Sequence, residues 1–260
     1  MLIDSHCHLD RVDLKPYNGD FNHFVTETQA TGIDHMLCVS ISMEKWPAMM
    51  KMVEGFGTIS ASVGVHPNEQ DCHEPTMEEL AGRAVHPQVV AIGETGLDYF
   101  RSEGDLAWQH DRFRTHIRAA KQTGKPLIIH TRDAKEDTLR ILREEGADEV
   151  GGVLHCFTED WDTARLALDL NFYISFSGIV TFKNATQIQD AARKVPADRY
   201  LVETDSPYLA PIPHRGKPNY PHHVRHVAEF VAGLREISLA TVAEQTTRNY
   251  WNLFGGQPNS

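Results

Sequence analysis

The sequence predicts a (β/α)8 barrel of the TIM type. Two observations carry the prediction: eight short β-rich runs recur along the 260 residues, and segments with helical periodicity separate them. A third is the almost continuous apolar character of the runs, as expected for a parallel sheet buried on both faces.

The runs, in order, are Leu2–Ser5, Met36–Ser40, Ile59–Gly64, Val89–Gly93, Leu127–His130, Gly152–His155, Phe172–Ser175 and Tyr200–Val202. The clearest helix between them is Leu106–Thr123, where Trp108, Phe113, Ile117 and Ala120 recur at helical spacing. The last strand leads into Ala210–Pro221, a loop with four prolines that also carries Arg215 and Lys217. Pro221–Phe254 then reads as two closing helices, and Gly255–Ser260 as a frayed end. An open doubly wound sheet is the competing architecture, but no Gly-x-Gly-x-x-Gly turn follows the first strand. With no Pro/Gly/Ser-rich linker, residues 1–260 are expected to form a single barrel domain.

Composition narrows the class. Hydrophobic residues make up 41% and charged residues 23%, as in an ordinary globular protein. The N-terminus lacks the basic segment, apolar stretch and cleavage site of an export signal. No apolar run approaches the ~20 residues of a membrane-spanning helix. Cys7, Cys38, Cys72 and Cys156 are scattered without a Cys-x-x-Cys pair, which fits a reducing compartment. The expectation is a cytoplasmic protein with no membrane contact and no obligate protein partner. Lys and Arg number 25 against 36 Asp and Glu, a net charge of −11, so any polyanion must be bound locally.

The chemistry lies at strand ends. His6 and His8 are two apart on the first strand, so both side chains leave one face; that spacing alone fits a metal-binding pair and a chance pair equally. Position separates the two readings. Glu94, His130, His155 and Asp205 stand at or just past the ends of later strands, where barrel enzymes keep their sites. Four histidines and two carboxylates buried together would be costly without a cation.

Six ligands exceed the three usual for one catalytic zinc, so two divalent ions bridged by a carboxylate are expected. Glu94 is the natural bridge, with His6, His8 and Asp205 on one ion and His130 and His155 on the other. Mg, Mn and Zn all remain open. Such a pair polarises a phosphoryl oxygen and activates water. Asp205 is expected to act twice, as ligand and as the group that orients or deprotonates the water, and Glu94 is assigned with it to the catalytic set. Glu203 reads as a hydrogen-bonding support.

Around this set, His66 either contacts a substrate phosphate or supports the site. Asp98 and Tyr99 point to substrate handling, with a loop cap as the plainer reading. Arg132, Arg215 and Lys217 are candidate phosphate contacts. His222, His223 and His226 read as surface helix residues, and Cys7 and Cys156 as small core residues.

With these residues in hand, the chain resembles the TatD family of metal-dependent deoxyribonucleases, within the amidohydrolase-like barrels. The resemblance rests on Asp4-Ser5-His6-Cys7-His8-Leu9-Asp10, Gly64-Val65-His66-Pro67, Ile92 to Tyr99, Pro126 to Arg132, Leu154-His155-Cys156-Phe157 and Glu203 to Leu209. It implies a TIM-type barrel, the six residues named above as metal ligands, and hydrolysis of DNA phosphodiesters, most simply as an exonuclease on single-stranded ends. The loop Arg215-Gly216-Lys217-Pro218-Asn219 is similar to the family's basic loop, which implies phosphate contact. Two departures, Asn68 after His66-Pro67 and Tyr220-Pro221-His222-His223, bear on substrate contacts rather than on the metal set. The alternative activity keeps the metals but changes the bond, to an amide, a lactone or an ester such as that of an aminoacyl-tRNA.

Overall fold

In a computed structural model, which describes residues 1–255, eight parallel strands follow one another around a barrel in chain order. They are β1 (Leu2–Cys7), β2 (Ile33–Cys38), β3 (Ile59–Val63), β4 (Val89–Asp98), β5 (Leu127–Arg132), β6 (Gly152–Leu154), β7 (Phe172–Phe176) and β8 (Tyr200–Val202). Helices alternate with them: α1 (Phe21–Ala30), α2 (Trp46–Val53), α3 (Met77–Ala84), α4 (Ala107–Thr123), α5 (Lys135–Glu144), α6 (Trp161–Leu168) and α7 (Thr186–Lys194). The chain closes with α8 (Val224–Arg235) and α9 (Leu239–Phe254). All eight predicted strands and the two closing helices are present. The frayed end expected at 255–260 lies, beyond Gly255, outside the described residues. No described helix is long and apolar enough to cross a membrane.

Local chemistry sets the helix ends. Thr76 and Glu79 form a reciprocal capping box at the start of α3, Asp160 and Ser238 cap α6 and α9, and Gly124 ends α4 with φ of 64°. These bonds satisfy backbone groups that the helices leave unpaired.

Two apolar layers follow from strand alternation. Ile3, Leu37, Ala91, Ile128, Val153 and Leu201 fill the barrel interior, and Tyr250 and Phe254 of α9 plug its N-terminal end. Met36, Cys38, Ile92, Leu127, Leu154 and Val202 face the helices. The alternation reverses at two places. On β1, Ile3 lies in the inner layer but Cys7 in the outer one, although both are odd-numbered. The register explains this: Asp4 pairs with Met36 and Cys7 with Cys38, so three residues of β1 advance against two of β2. On β4 the same slip falls between Ile92 and Thr95, with Ala91 inside and Leu97 outside. These bulges turn His6 and Glu94 into the barrel mouth, where unbroken strands would have pointed them at the helices.

The predicted strand ends were too early on β1, β4 and β5. Pairing continues through Thr95–Ile129 to Asp98–Arg132, so Glu94, Asp98 and Arg132 are strand residues, as His130 was expected to be, and not loop residues. Between β1 and β8 the closure is mostly made by side chains. The Thr204 amide and hydroxyl donate to the Asp4 carboxyl oxygens at 2.8 and 2.5 Å, Ser5 Oγ donates to the Val202 carbonyl at 2.9 Å, and Cys7 bridges to Ser206.

Gly96 tests the packing at the β4–β5 seam. It has φ of +134°, and a β-carbon there would stand 2.0 Å from the His130 carbonyl oxygen. Gly96→Ala is therefore expected to lower stability by about 2–4 kcal/mol, combining backbone strain with overpacking. Urea unfolding at constant m-value measures this, and a midpoint equal to the parent's would show that the seam can widen freely.

Candidate metal centre

Glu94 lies at the centre of a group of imidazoles. Its Oε1 is 2.8 Å from His155 Nε2, 3.3 Å from His130 Nδ1 and 3.2 Å from His66 Nε2. Its Oε2 is 3.5 Å from His6 Nε2 and 3.7 Å from His8 Nε2. Asp205 Oδ1 approaches the same two histidines at 3.7 and 3.3 Å. β1, β4, β5 and the turns after β6 and β8 thus bring all six predicted ligands together. Asp205 and Cys156 hold left-handed backbone conformations, with φ of 56° and 44°, of the kind that concentrates at functional sites.

The supporting hydrogen bonds decide which ring nitrogens carry protons. His8 Nδ1 faces the Val39 carbonyl at 3.0 Å, and a carbonyl only accepts, so Nδ1 carries a proton and Nε2 is the nitrogen turned toward Asp205. His155 Nδ1 donates to Glu203 Oε1 at 3.2 Å, leaving Nε2 facing Glu94. His130 Nε2 donates to Asp98 Oδ2 at 3.0 Å, leaving Nδ1 facing Glu94. His66 is the opposite case: the Asn68 amide donates to its Nδ1 at 3.0 Å, so the proton sits on Nε2 and points at Glu94. His66 therefore donates a hydrogen bond here, although its ring lies close enough to Glu94 and His130 to share an ion.

Lone pairs and carboxylate oxygens thus face one another across a buried space. Both ring nitrogens of His6, Nε2 of His155, Oε2 of Glu94 and Oε2 of Glu203 have no hydrogen-bond partner among the described residues. Leaving such groups unpaired costs about 1–3 kcal/mol each. A divalent cation would satisfy one ring nitrogen of His6, Nε2 of His155 and Oε2 of Glu94, and an imidazole–carboxylate set is the donor chemistry that Zn, Mn and related ions accept. The electrostatics agree. Burial opposes charge on Glu94, but the surrounding histidines more than reverse this and hold it well below the usual carboxylate range. Burial likewise disfavours a cationic His155, yet Glu94 and Glu203 raise its pKa well above the ordinary value. The field at this point favours positive charge.

The other predicted contacts divide into two groups. Asp98 is fully buried behind His130, where it accepts from His130, from Asn68 Nδ2 at 2.9 Å and from the Arg101 amide at 2.9 Å. It orients a ligand and does not reach substrate. Burial works against its charge, but these donors outweigh it and keep the carboxyl strongly acidic. Tyr99 is also corrected: its hydroxyl is committed to His110 Nε2 and Asp137 Oδ2, both at 2.6 Å. Asn68 joins this supporting layer rather than the substrate face. Cys156 is half-buried, with its thiol 3.1 Å from Ser177 Oγ and its amide donating to Glu203 at 2.8 Å, so it belongs to the site's wall and not to the core.

Arg132 is half-buried and Arg215 exposed. Arg132 lies 3.8 Å above the Phe100 ring and Arg215 4.3 Å from that of Phe182, and neither they nor Lys217 have a carboxylate partner among the described residues. The sequence reading missed two exposed rings. Phe100 is 61% exposed beneath Arg132, and Tyr208, 47% exposed, lies 6.0 Å from His8. Large apolar groups in strand-end loops were the available signal.

Comparison with known proteins accords with this geometry. A model of the TatD-related DNase family matches residues 3–255. The uncharacterized metal-dependent hydrolase YcfH of Escherichia coli K12 is 48% identical over 254 residues, covering 97% of this chain and 95% of that protein. The uncharacterized metal-dependent hydrolase YabD of Bacillus subtilis 168 is 41% identical over 257 residues, covering 98% and 99%. Among solved structures, the TatD homologue YjjV of E. coli K12 superposes with a TM-score of 0.89 at 26% identity over 98% of both chains.

Glu203 gives a test of the supporting layer. Glu203→Gln weakens the pull on His155 Nδ1 without changing shape, and is expected to lower divalent-ion affinity roughly 10–100-fold with the melting temperature little changed. Competition against a chelating dye reads this out; parental affinity would mean that Glu203 serves only the backbone of Cys156.

Proposed function

Because the chain belongs to the TatD-related DNase family and is thereby a metal-dependent hydrolase, we propose that it is a deoxyribonuclease acting on single-stranded DNA ends. The observation that carries this reading is the buried ring of lone pairs and carboxylates around Glu94, opening onto unpaired cations and exposed aromatic rings.

In this reading His6, His8 and Asp205 would hold one divalent ion and His130 and His155 a second, with Glu94 shared between them. Ions held there supply the Lewis acidity that phosphodiester hydrolysis needs. The chain's own groups do the rest. Glu203, Asp98 and the Val39 carbonyl fix the imidazole tautomers, so no reorganisation is needed as charge develops. Asp205 presents Oδ1 to His6 and His8, and its Oδ2 takes the proton of the attacking water. His66, protonated at Nε2, points that proton at Glu94 Oε1 and steadies the carboxylate. Arg132, Arg215 and Lys217 balance backbone charge locally in a protein of net charge −11, and Phe100 and Tyr208 offer faces on which unpaired bases stack. That favours frayed or single-stranded ends over duplex, which normally draws on a broad basic surface.

Three outcomes check the reading. Metal-stripped protein restored with Mg, Mn or Zn is expected to shorten end-labelled single-stranded DNA as a ladder, and Asp205→Asn to lose at least 100-fold, on the order expected for removing a positioned base. No cleavage in any metal would move the activity to an ester or amide substrate. Glu94→Gln should lose metal and turnover together while the barrel stays folded by circular dichroism. Arg215→Ala is expected to raise KM about 3–10-fold with kcat nearly unchanged and to flatten its salt dependence; an unaltered KM would return that loop to solvent.

A further inference from the structure

A second group of histidines stands apart from the barrel-end set. The loop after β8 returns to α8 through a 3-10 turn at Pro221–His223, and this path brings His214, His222, His223 and His226 together. Of the three histidines whose spacing suggests surface helix residues, His226 does lie on α8 at 32% exposure, but His223 is 6% exposed, and the rings of His214 and His223 stack at 4.0 Å and 9°. His214 Nε2 lies 3.1 Å from His226 Nε2.

The neighbours orient these rings. His226 Nδ1 faces Glu229 Oε2 one turn along the helix at 3.5 Å, an arrangement that holds the proton on Nδ1 and leaves the Nε2 lone pair toward His214. Asn219 donates Nδ2 to the carbonyls of Thr204 and Tyr208 at 3.0 and 2.6 Å, which fixes its amide. Its Oδ1 therefore accepts from His223 Nδ1 at 2.9 Å, and the His223 ring, held in this way, clamps His214 by stacking. Burial and the adjacent imidazoles hold His223 down at about 3 and lower His214 as well, so these rings are neutral near pH 7, the form that ligates metal.

We propose that His214 and His226 form a second metal site, separate from the barrel-end centre, for a borderline divalent transition ion of the Zn, Ni or Cu(II) class. Two metal–nitrogen bonds of about 2.0–2.1 Å across a 3.1 Å edge enclose an angle of roughly 100°, within the range of tetrahedral and octahedral sites. At present the Nε2 proton of His214 fills that position; for both Nε2 lone pairs to face an ion, that proton moves to His214 Nδ1, and both rings stay neutral. His226 is 32% exposed, so water can complete the coordination. Through Asn219 the site is tied to the backbone on either side of Asp205, and it fixes the root of the loop that carries Arg215 and Lys217.

The test counts metal. Full-length wild type, His214→Ala and His226→Ala, stripped with chelator, are titrated with Zn2+ alone against a chromophoric competitor. Each variant is expected to bind one equivalent per chain fewer than wild type. His6→Ala/Asp205→Asn should lose other equivalents and keep this one, and adding His226→Ala to it should then remove it. His226→Gln, which keeps the ring's bulk in part, serves where alanine lowers the melting temperature, and must lose the same equivalent. An unchanged count in folded His214→Ala and His226→Gln would overturn the proposal and leave the pair as a proton-sharing structural contact.

Discussion

The dependence of the whole structure on one constraint is clearest at Glu94. A carboxylate 2% exposed and ringed by imidazoles whose lone pairs point at it has no stable state in an apolar barrel without positive charge at its centre. Much of the surrounding architecture serves that requirement. Glu203 and Asp98 hold two imidazoles by their distal nitrogens, the Val39 carbonyl holds a third, and the Asn68 amide gives His66 the opposite tautomer. These partners lie at the end of β4 and in the segments that follow β2, β3 and β8, so the geometry of the centre is only as good as the register of the sheet.

That register is irregular where the centre requires it. The slips on β1 and β4 interrupt the two-residue alternation and rotate His6 and Glu94 inward, at the loss of regular ladder bonds. β1 contributes twice: the strand that presents His6 and His8 is also the one that closes the barrel, through Asp4 and Thr204, next to the turn carrying Asp205. Burial pushes the Asp4 carboxyl well above its usual pKa despite the bonds from Thr204, so this clasp is a hydrogen-bonded seam and not an exposed ion pair. Closure and site assembly are therefore one event on opposite sides of the same strand pair.

Outside the centre, charge is distributed against the protein's average. A net −11 repels polyanions at long range, whereas Arg132, Arg215 and Lys217 offer positive charge without carboxylate partners among the described residues. The arginines lie over aromatic rings, which hold a guanidinium in place without neutralising it. The loop that bears Arg215 and Lys217 is anchored at its base by Asn219 and by the stacked histidines, so its cations are displayed from a fixed root.

The sequence by itself determined the eightfold strand–helix alternation and the six residues that meet at the barrel mouth. Both follow from short-range rules: apolar runs of strand length, and metal-ligand chemistry at strand ends, where this architecture places it regardless of loop detail. Only the tertiary structure decided what depends on slips of register and on partners far apart in the chain. An alternation count cannot see a bulge, so it could not show that His6 and Glu94 turn inward because the pleat is broken beside them. It could not separate Asp98 and Tyr99, whose hydrogen bonds run to His130, His110 and Asp137, from Arg132, which has no carboxylate partner among the described residues. Nor could helical spacing show His223 buried against His214, because that contact depends on how a four-proline loop folds back onto α8. A proton on one ring nitrogen or the other is set by neighbours that only folding brings within 3 Å, and that choice separates His66, a donor, from the histidines whose lone pairs face the centre.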